Sequence, residues 1–287
     1  MRDFIRQTGQ DRNYFQEQNY DKVDYTKNTQ NSLTSPSDSG KLNITIPNVD
    51  FTIKKLDKEA ITFYKKYIMQ YKEKFRGYTK ALTYRFNNGS ENAKKIFLKY
   101  VPEDSIENCN LNIKEDPHFN SNTGKINMNF IVDFGNKGGK KGVGSIYFHE
   151  YGHLIDHALG DISIKSPKFQ KSLNIDYMNF ITQINIAGRE KYSYKQIYMI
   201  AAKQLQNLRT DNGVSDIIHG LSNKMIKGCT WHDKKKDGSN YWNDNTICQE
   251  AFAHMFEAQF DKLKYEKMKS VFPNAFQEFE SMLEDYI

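Results

Sequence analysis

His149, Glu150 and His153 stand in the pattern His-Glu-x-x-His, inside the stretch GVGSIYFHEYGHLIDHAL. On an α-helix, residues four apart lie on one face a single turn from each other, so both imidazoles can reach one metal ion. Glu150 stands beside them, within reach of a water on that ion. A Zn²⁺ held by two histidines and a carboxylate keeps a fourth position open and lowers the pKa of the water there towards neutrality. Glu150 then serves as general base in the attack on a peptide carbonyl. Three fixed residues in five also recur by chance, and a surface helix with two unrelated histidines has the same pattern. The surroundings argue for more. Ile146, Phe148, Leu154 and Ile155 give the helix an apolar stripe, and Gly152 leaves one flank slim enough for a strand or substrate to approach.

Such a site needs one more protein ligand, normally from a separate element downstream. Glu250, in EAFAHMFE, is the leading candidate, because a carboxylate near the start of an otherwise apolar helix is costly to bury without a positive partner. Phe252, Met255, Phe256 and Phe260 imply that this helix packs deeply. His254, one turn on, shares the face of Glu250 and can ligate or hydrogen-bond a ligand; Glu257 lies a further turn away. A solvent-facing Glu and His on an amphipathic helix is the competing reading. On the first helix, Asp156 lies two turns from His149 and reads better as a residue that orients an imidazole than as a ligand. His157 lies further along, and the longer H-E-x-x-H-x-x-G-x-x-H spacing is absent.

The elements that must position these residues fall in a simple order. Residues 1–48 are polar and short of branched aliphatics, which reads as a flexible arm or linker, and residues 49–287 read as one domain. Apolar residues at three- and four-residue spacing predict a helix over 56–76, and SENAKKIFLKY predicts another helix or a mixed segment over about 90–100, ended before Pro102. Turn residues dominate 104–124, around one strand at LNI. KINMNFIVDF (125–134) alternates, with Ile126, Met128, Phe130 and Val132 on one face of a strand just ahead of the metal helix. An exposed edge there can pair with an extended substrate. Helices are expected over 168–184, 194–209, 213–222 and 247–264, with a terminal one from Pro273 that buries Phe276, Phe279, Met282 and Leu283.

Composition narrows the class. With 287 residues and 14% aromatics the chain can bury a sizeable core, despite a mean hydropathy of -0.77. The net charge of +6 falls short of the concentrated patch of a nucleic-acid binder. No apolar run is long enough to cross a membrane, and MRDFIRQTGQDRN has neither the apolar region nor the cleavage site of a secretory signal. Cys109, Cys229 and Cys248 are odd in number and lack C-x-x-C spacing, which fits reduced thiols. The expected location is the cytoplasm of the producing bacterium or a virion.

HEYGHLID, followed about a hundred residues later by EAFAHMFEAQF and then by FPNAF, resembles the gluzincin (zincin) metallopeptidase domain of phage minor head (MuF-like) proteins. It is more distantly similar to the catalytic domain of anthrax lethal factor. SDIIHGLSNKMIKGCTWHDKKKDGSNYW also resembles the phage group's pattern, and the likeness runs over about residues 125–287. By position, the resemblance implies His149, His153 and Glu250 as Zn²⁺ ligands and Glu150 as general base. It further implies that Tyr241 donates to the developing oxyanion and that His232 contacts substrate or supports the transition state. Lethal-factor-like proteins often carry Glu where this chain has His254.

The fold expected is a mainly helical α+β zincin, with a short mixed sheet, the HEYGH helix and a helical C-terminal half that delivers Glu250. The function expected is zinc-dependent peptide-bond hydrolysis by a protein of phage or prophage origin, acting on virion proteins, on itself, or on a host protein as a toxin or effector. The alternative is a non-catalytic head-assembly protein whose metal only stabilises the fold. A basic DNA-packaging protein rests on the +6 charge alone.

Overall fold

The computed structural model describes residues 81–82, 84–102, 105–109, 116–129, 132–133, 142–188, 191–207, 212–227 and 240–287. The arm expected over 1–48, the helix expected over 56–76, the LNI strand, Phe130 and His232 lie outside the described residues. What is described is mainly helical with one small mixed sheet, an α+β architecture.

Helix α1 (Glu91–Tyr100) starts where the Ser90 hydroxyl accepts from the Ala93 N–H, with Glu91 suited to the positive end of the helix. It buries Ala93, Ile96 and Phe97. Strands β1 (Ile106–Cys109), β2 (His118–Asn120) and β3 (Lys125–Met128) follow, in the spatial order β1-β3-β2. β1 runs parallel to β3, and β2 runs antiparallel to it with Phe119 opposite Ile126. Ile126 and Met128 of β3 are buried. Thus two short strands occupy a region whose turn residues predict loops.

The strand expected to reach residue 134 stops at Met128. Asn129 ends it: its side-chain oxygen accepts from the Val132 N–H at 3.2 Å, and the Asp133 N–H reaches the Asn129 carbonyl at 3.1 Å. Such a side-chain turn competes with the ladder and bends the chain into a helical turn at 132–133. The bend aims the buried Asp133 carboxylate at the start of α2 (Ser145–Ala158), where it accepts from the N–H groups of Ile146 (2.9 Å) and Tyr147 (3.4 Å). The helix cannot cap itself, because its N-cap position is Gly144 at φ 86.

After the single turn α3 (Ile162–Lys165) come α4 (Pro167–Ala187), α5 (Tyr194–Asn207), α6 (Asn212–Leu221), α7 (Asp244–Ala258), α8 (Lys262–Val271) and α9 (Pro273–Glu284). The helix expected over 247–264 is broken before α8, because the Asp261 side chain accepts from the N–H groups of Leu263 and Lys264 and starts a new helix. Helix α9 begins at Pro273 and buries Phe276, Phe279, Met282 and Leu283, as the spacing predicts. Asp176 of α4 pins its start by accepting from the Ala275 N–H at 2.8 Å.

The core gathers on α2 and α7. Phe148 of α2 stacks on Phe260 at 4.1 Å between ring centroids, and Tyr151 meets Phe97 of α1 at 4.9 Å. Helix α7, opened by a reciprocal Asn243–Thr246 capping box, is buried at Ile247, Cys248 and every residue from Glu250 to Ala258. The two helices touch backbone to backbone. A Cβ at Gly152 would stand 2.7 Å from the Cα of Ala253 and 2.9 Å from its carbonyl oxygen. It is therefore a helix that uses the slim flank at Gly152, rather than a strand or a substrate. Among the described residues, no helix is long and apolar enough to cross a membrane.

Candidate metal centre

Helix α2 presents His149 and His153 one turn apart, their ring centroids at 4.8 Å and their planes nearly perpendicular. Helix α7, crossing at Gly152 and Ala253, brings Glu250 against both. Its Oε2 lies 3.3 Å from His149 Nε2 and its Oε1 lies 3.6 Å from His153 Nε2. Tetrahedral Zn²⁺ with bonds of about 2.1 Å sets its donor atoms roughly 3.4 Å apart, so these side chains fit one such ion. The donor set of two imidazoles and a carboxylate suits it equally well.

His149 also belongs to a second constellation with His254 and Glu257, in which one donor atom from each residue lies within 4.8 Å of the others. The chemistry of its members argues against a metal there. Glu257 Oε1 already accepts from the Lys264 ammonium and the Ser145 hydroxyl. His254 is held by Glu257 Oε2 at 3.3 Å on Nδ1 and by Asp216 Oδ2 at 3.5 Å on Nε2. Burial disfavours its charge, but those two carboxylates outweigh burial and lift its pKa to about 9. Both of its ring nitrogens are thus already turned to carboxylates of the protein.

His149 behaves oppositely. Burial, reinforced by the neighbouring His254, lowers its pKa to about 3, so it is a neutral ring with a lone pair available. For His153 burial is overcome by the Glu250 carboxylate, which raises the imidazole above its usual value; burial of Glu250 is likewise overcome by the two histidines, which hold it well below the carboxylate range. A divalent cation held there would answer the charge of Glu250 that raises the His153 imidazole.

Two neighbouring histidines shifted in opposite directions set a pH optimum for the metal-free fold. From pH 6.5 down to about 3, the unfolded chain carries a proton on residue 149 that the folded chain lacks, so stability falls as pH falls. From pH 6.5 up to about 9, the folded chain keeps a proton on residue 254 that the unfolded chain has lost, so stability falls as pH rises. The raised His153 adds to the alkaline limb, and the lowered Glu250 and Glu257 add to the acid limb below their ordinary value of 4.5. Denaturant midpoints of chelator-treated protein are expected to peak near pH 6.5. Each proton contributes a slope of about 1.4 kcal/mol per pH unit. A plateau from pH 5 to 8 would refute this assignment of charge.

Around the three converging side chains stand the groups that could do chemistry. Glu150, buried on α2, accepts from the Phe119 N–H through Oε2 at 2.8 Å. That N–H points away from β3, so the outer edge of the antiparallel strand β2 faces α2. The Tyr241 hydroxyl donates to Glu250 Oε1 at 2.5 Å, which sets it beside the three converging side chains. Burial, and next the charge of Glu250, push its pKa far up, so the hydroxyl stays protonated and remains a donor.

The other sequence candidates are placed elsewhere. Asp156 does not orient an imidazole by hydrogen bonding: its carboxylate accepts from the Ser163 N–H (2.9 Å) and hydroxyl (2.5 Å), fixing the turn after α2. His157 is exposed and pairs with Asp161 at 3.2 Å. Residues that the spacing did not single out are the Phe119 backbone, Ser145, Asp216 and Lys264. Asp216 carried a signal, since it is a charge inside the apolar run VSDII and invites the same burial argument that singled out Glu250. No protein-family model, curated protein or solved structure matches this chain.

Proposed function

We propose that this chain is a zinc-dependent metallopeptidase of the zincin type, hydrolysing peptide bonds in a protein substrate. The observation that carries the reading is the convergence of His149 Nε2, His153 Nε2 and both carboxylate oxygens of Glu250 at spacings of 3.3 and 3.6 Å, with Glu150 and Tyr241 beside them. His149, His153 and Glu250 would hold a Zn²⁺, which would supply Lewis acidity towards a substrate carbonyl and a water. Glu150 takes the proton of the attacking water on its carboxylate and passes it to the leaving amine, while the Phe119 N–H keeps that carboxylate in place. Tyr241, kept protonated, gives up its hydrogen bond to Glu250 and turns its one hydroxyl proton to the oxyanion as it forms. An extended substrate segment runs along the outer edge of β2, past the Phe119 N–H that Glu150 already occupies. A phage or prophage origin, with virion proteins, the chain itself or a host protein as target, rests on the resemblance in HEYGHLID and EAFAHMFEAQF.

Elemental analysis of the reconstituted protein tests the site. One zinc per chain is expected in the wild type and in Glu150→Ala, and none in Glu250→Ala. A chelator is expected to abolish hydrolysis of an unfolded protein such as casein, and added Zn²⁺ to restore it. Zinc in the wild type with no hydrolysis of any unfolded or self substrate would favour the head-assembly protein with a structural metal. No zinc in any sample would end the metallopeptidase reading.

A further inference from the structure

Behind His149, on the side away from Glu250, lies a buried charged cluster that peptide hydrolysis does not use. Lys264 of α8 is 7% exposed. Its ammonium donates to the Ser145 hydroxyl of α2 at 2.6 Å and to Glu257 Oε1 of α7. Burying a lysine is expensive unless its charge is paired and its protons are accepted, and here both conditions are met by residues of two other helices. The other carboxylate oxygen of Glu257 faces two imidazoles, His254 Nδ1 at 3.3 Å and His149 Nδ1 at 4.0 Å. His149 Nδ1 is buried and has no hydrogen-bond partner, while its Nε2 faces Glu250. The ring of His254 lies against that of His149 at 4.2 Å between centroids.

We propose that Lys264 is a positioning residue for the metal ligand His149: by tying Glu257 Oε1 to Ser145, it aims Glu257 Oε2 at His149 Nδ1 and so presents Nε2 to the metal. The inference rests on the metal site proposed above and adds to it the residue that sets the orientation of one ligand. A carboxylate behind a ligating imidazole fixes the ring and makes it a better donor, and loss of such a partner weakens metal binding by roughly 10- to 100-fold. Without Lys264 the carboxylate would lose the one full charge paired with Oε1 and keep only the Ser145 hydroxyl and a histidine that also belongs to Asp216. Ser145 and His149 are one turn apart on α2, so the same ammonium that orients Glu257 also fixes the turn that carries the ligand.

The test is zinc affinity, measured by competition with a chromophoric chelator on metal-free, folded protein, together with the imidazole ¹⁵N shifts of His149. Lys264→Met is expected to bind zinc roughly 10- to 100-fold more weakly than wild type. In the zinc form the His149 Nδ1 signal of wild type is expected to report a hydrogen bond to Glu257 Oε2, and that of Lys264→Met is expected to lack it. Lys264→Arg, which keeps the charge, is expected to retain most of the affinity. If Lys264→Met does not fold, Ser145→Ala carries the same test, with an expected loss of roughly two- to tenfold for one hydrogen bond. A folded Lys264→Met or Ser145→Ala with wild-type zinc affinity and unchanged His149 shifts would overturn the proposal while leaving the metal site intact. A wild type that binds no zinc would remove the metal reading itself, and the positioning role with it.

Discussion

Glu150→Gln is expected to lower the rate of peptide hydrolysis by roughly 10²- to 10⁴-fold while leaving one zinc per chain. The amide keeps the shape of the side chain and can still accept from the Phe119 N–H, which the carboxylate does now at 2.8 Å. What it loses is the ability to take a proton. The substitution therefore separates base chemistry from metal binding, because the three side chains that converge are His149, His153 and Glu250. The measurement is turnover of unfolded casein with metal content determined on the same sample. A Glu150→Gln protein with near wild-type turnover would exclude Glu150 as the base. One that lost zinc along with activity would make Glu150 part of the metal's support.

The second large effect comes from a residue that touches no metal. Gly152→Ala adds a methyl group 2.7 Å from the Cα of Ala253, a distance that Cβ atoms essentially never show. The obstacle is backbone, so no rotamer change relieves it and the two helices must part. Overpacking of this kind costs about 1–3 kcal/mol. The separation also falls one turn from Glu250 on α7 and between the two histidines on α2. Zinc affinity is expected to drop at least about tenfold beyond the loss of stability. Ala253→Gly is expected not to rescue it, because the contacting atoms are the Cα and carbonyl oxygen that glycine keeps. Denaturant titration and chelator competition check both parts. A Gly152→Ala protein with unchanged stability and zinc binding would mean that the helices do not cross this closely.

The contrast between what the spacing announced and what it concealed has a physical pattern. The helix bearing His149 and His153 was legible because a four-residue spacing fixes two side chains on one face whatever lies around them. Glu250 was legible because a carboxylate in an apolar helix demands a positive partner, and its distance from the histidines follows from that demand. Helix α9 announced itself through Pro273 and the spacing of Phe276, Phe279 and Leu283. The sheet was harder. IENC and HFN are short and mostly polar, and they become strands through pairing with β3, so no local alternation marks them. The end of β3 depends on a side chain, Asn129, whose turn outcompetes the apolar alternation continuing through Val132. Lys264 was the least legible. Within KLKYEKMKSV it is one lysine among four, and its burial is decided by Glu257 and Ser145 on other helices.

The crossing of α2 and α7 has a consequence for how the molecule comes into being. The histidines and Glu250 are separated by about a hundred residues of chain, and a loop of that length must close before their donor atoms meet. Closure carries an entropy penalty that local helix formation does not return, so the contact is expected to form after the intervening helices have packed. An ion that binds there would meet a pocket already formed, and would slow escape from the native state rather than hasten arrival there. A chain newly made in a zinc-poor compartment would reach the same architecture and wait there, shaped but unarmed, until metal was supplied.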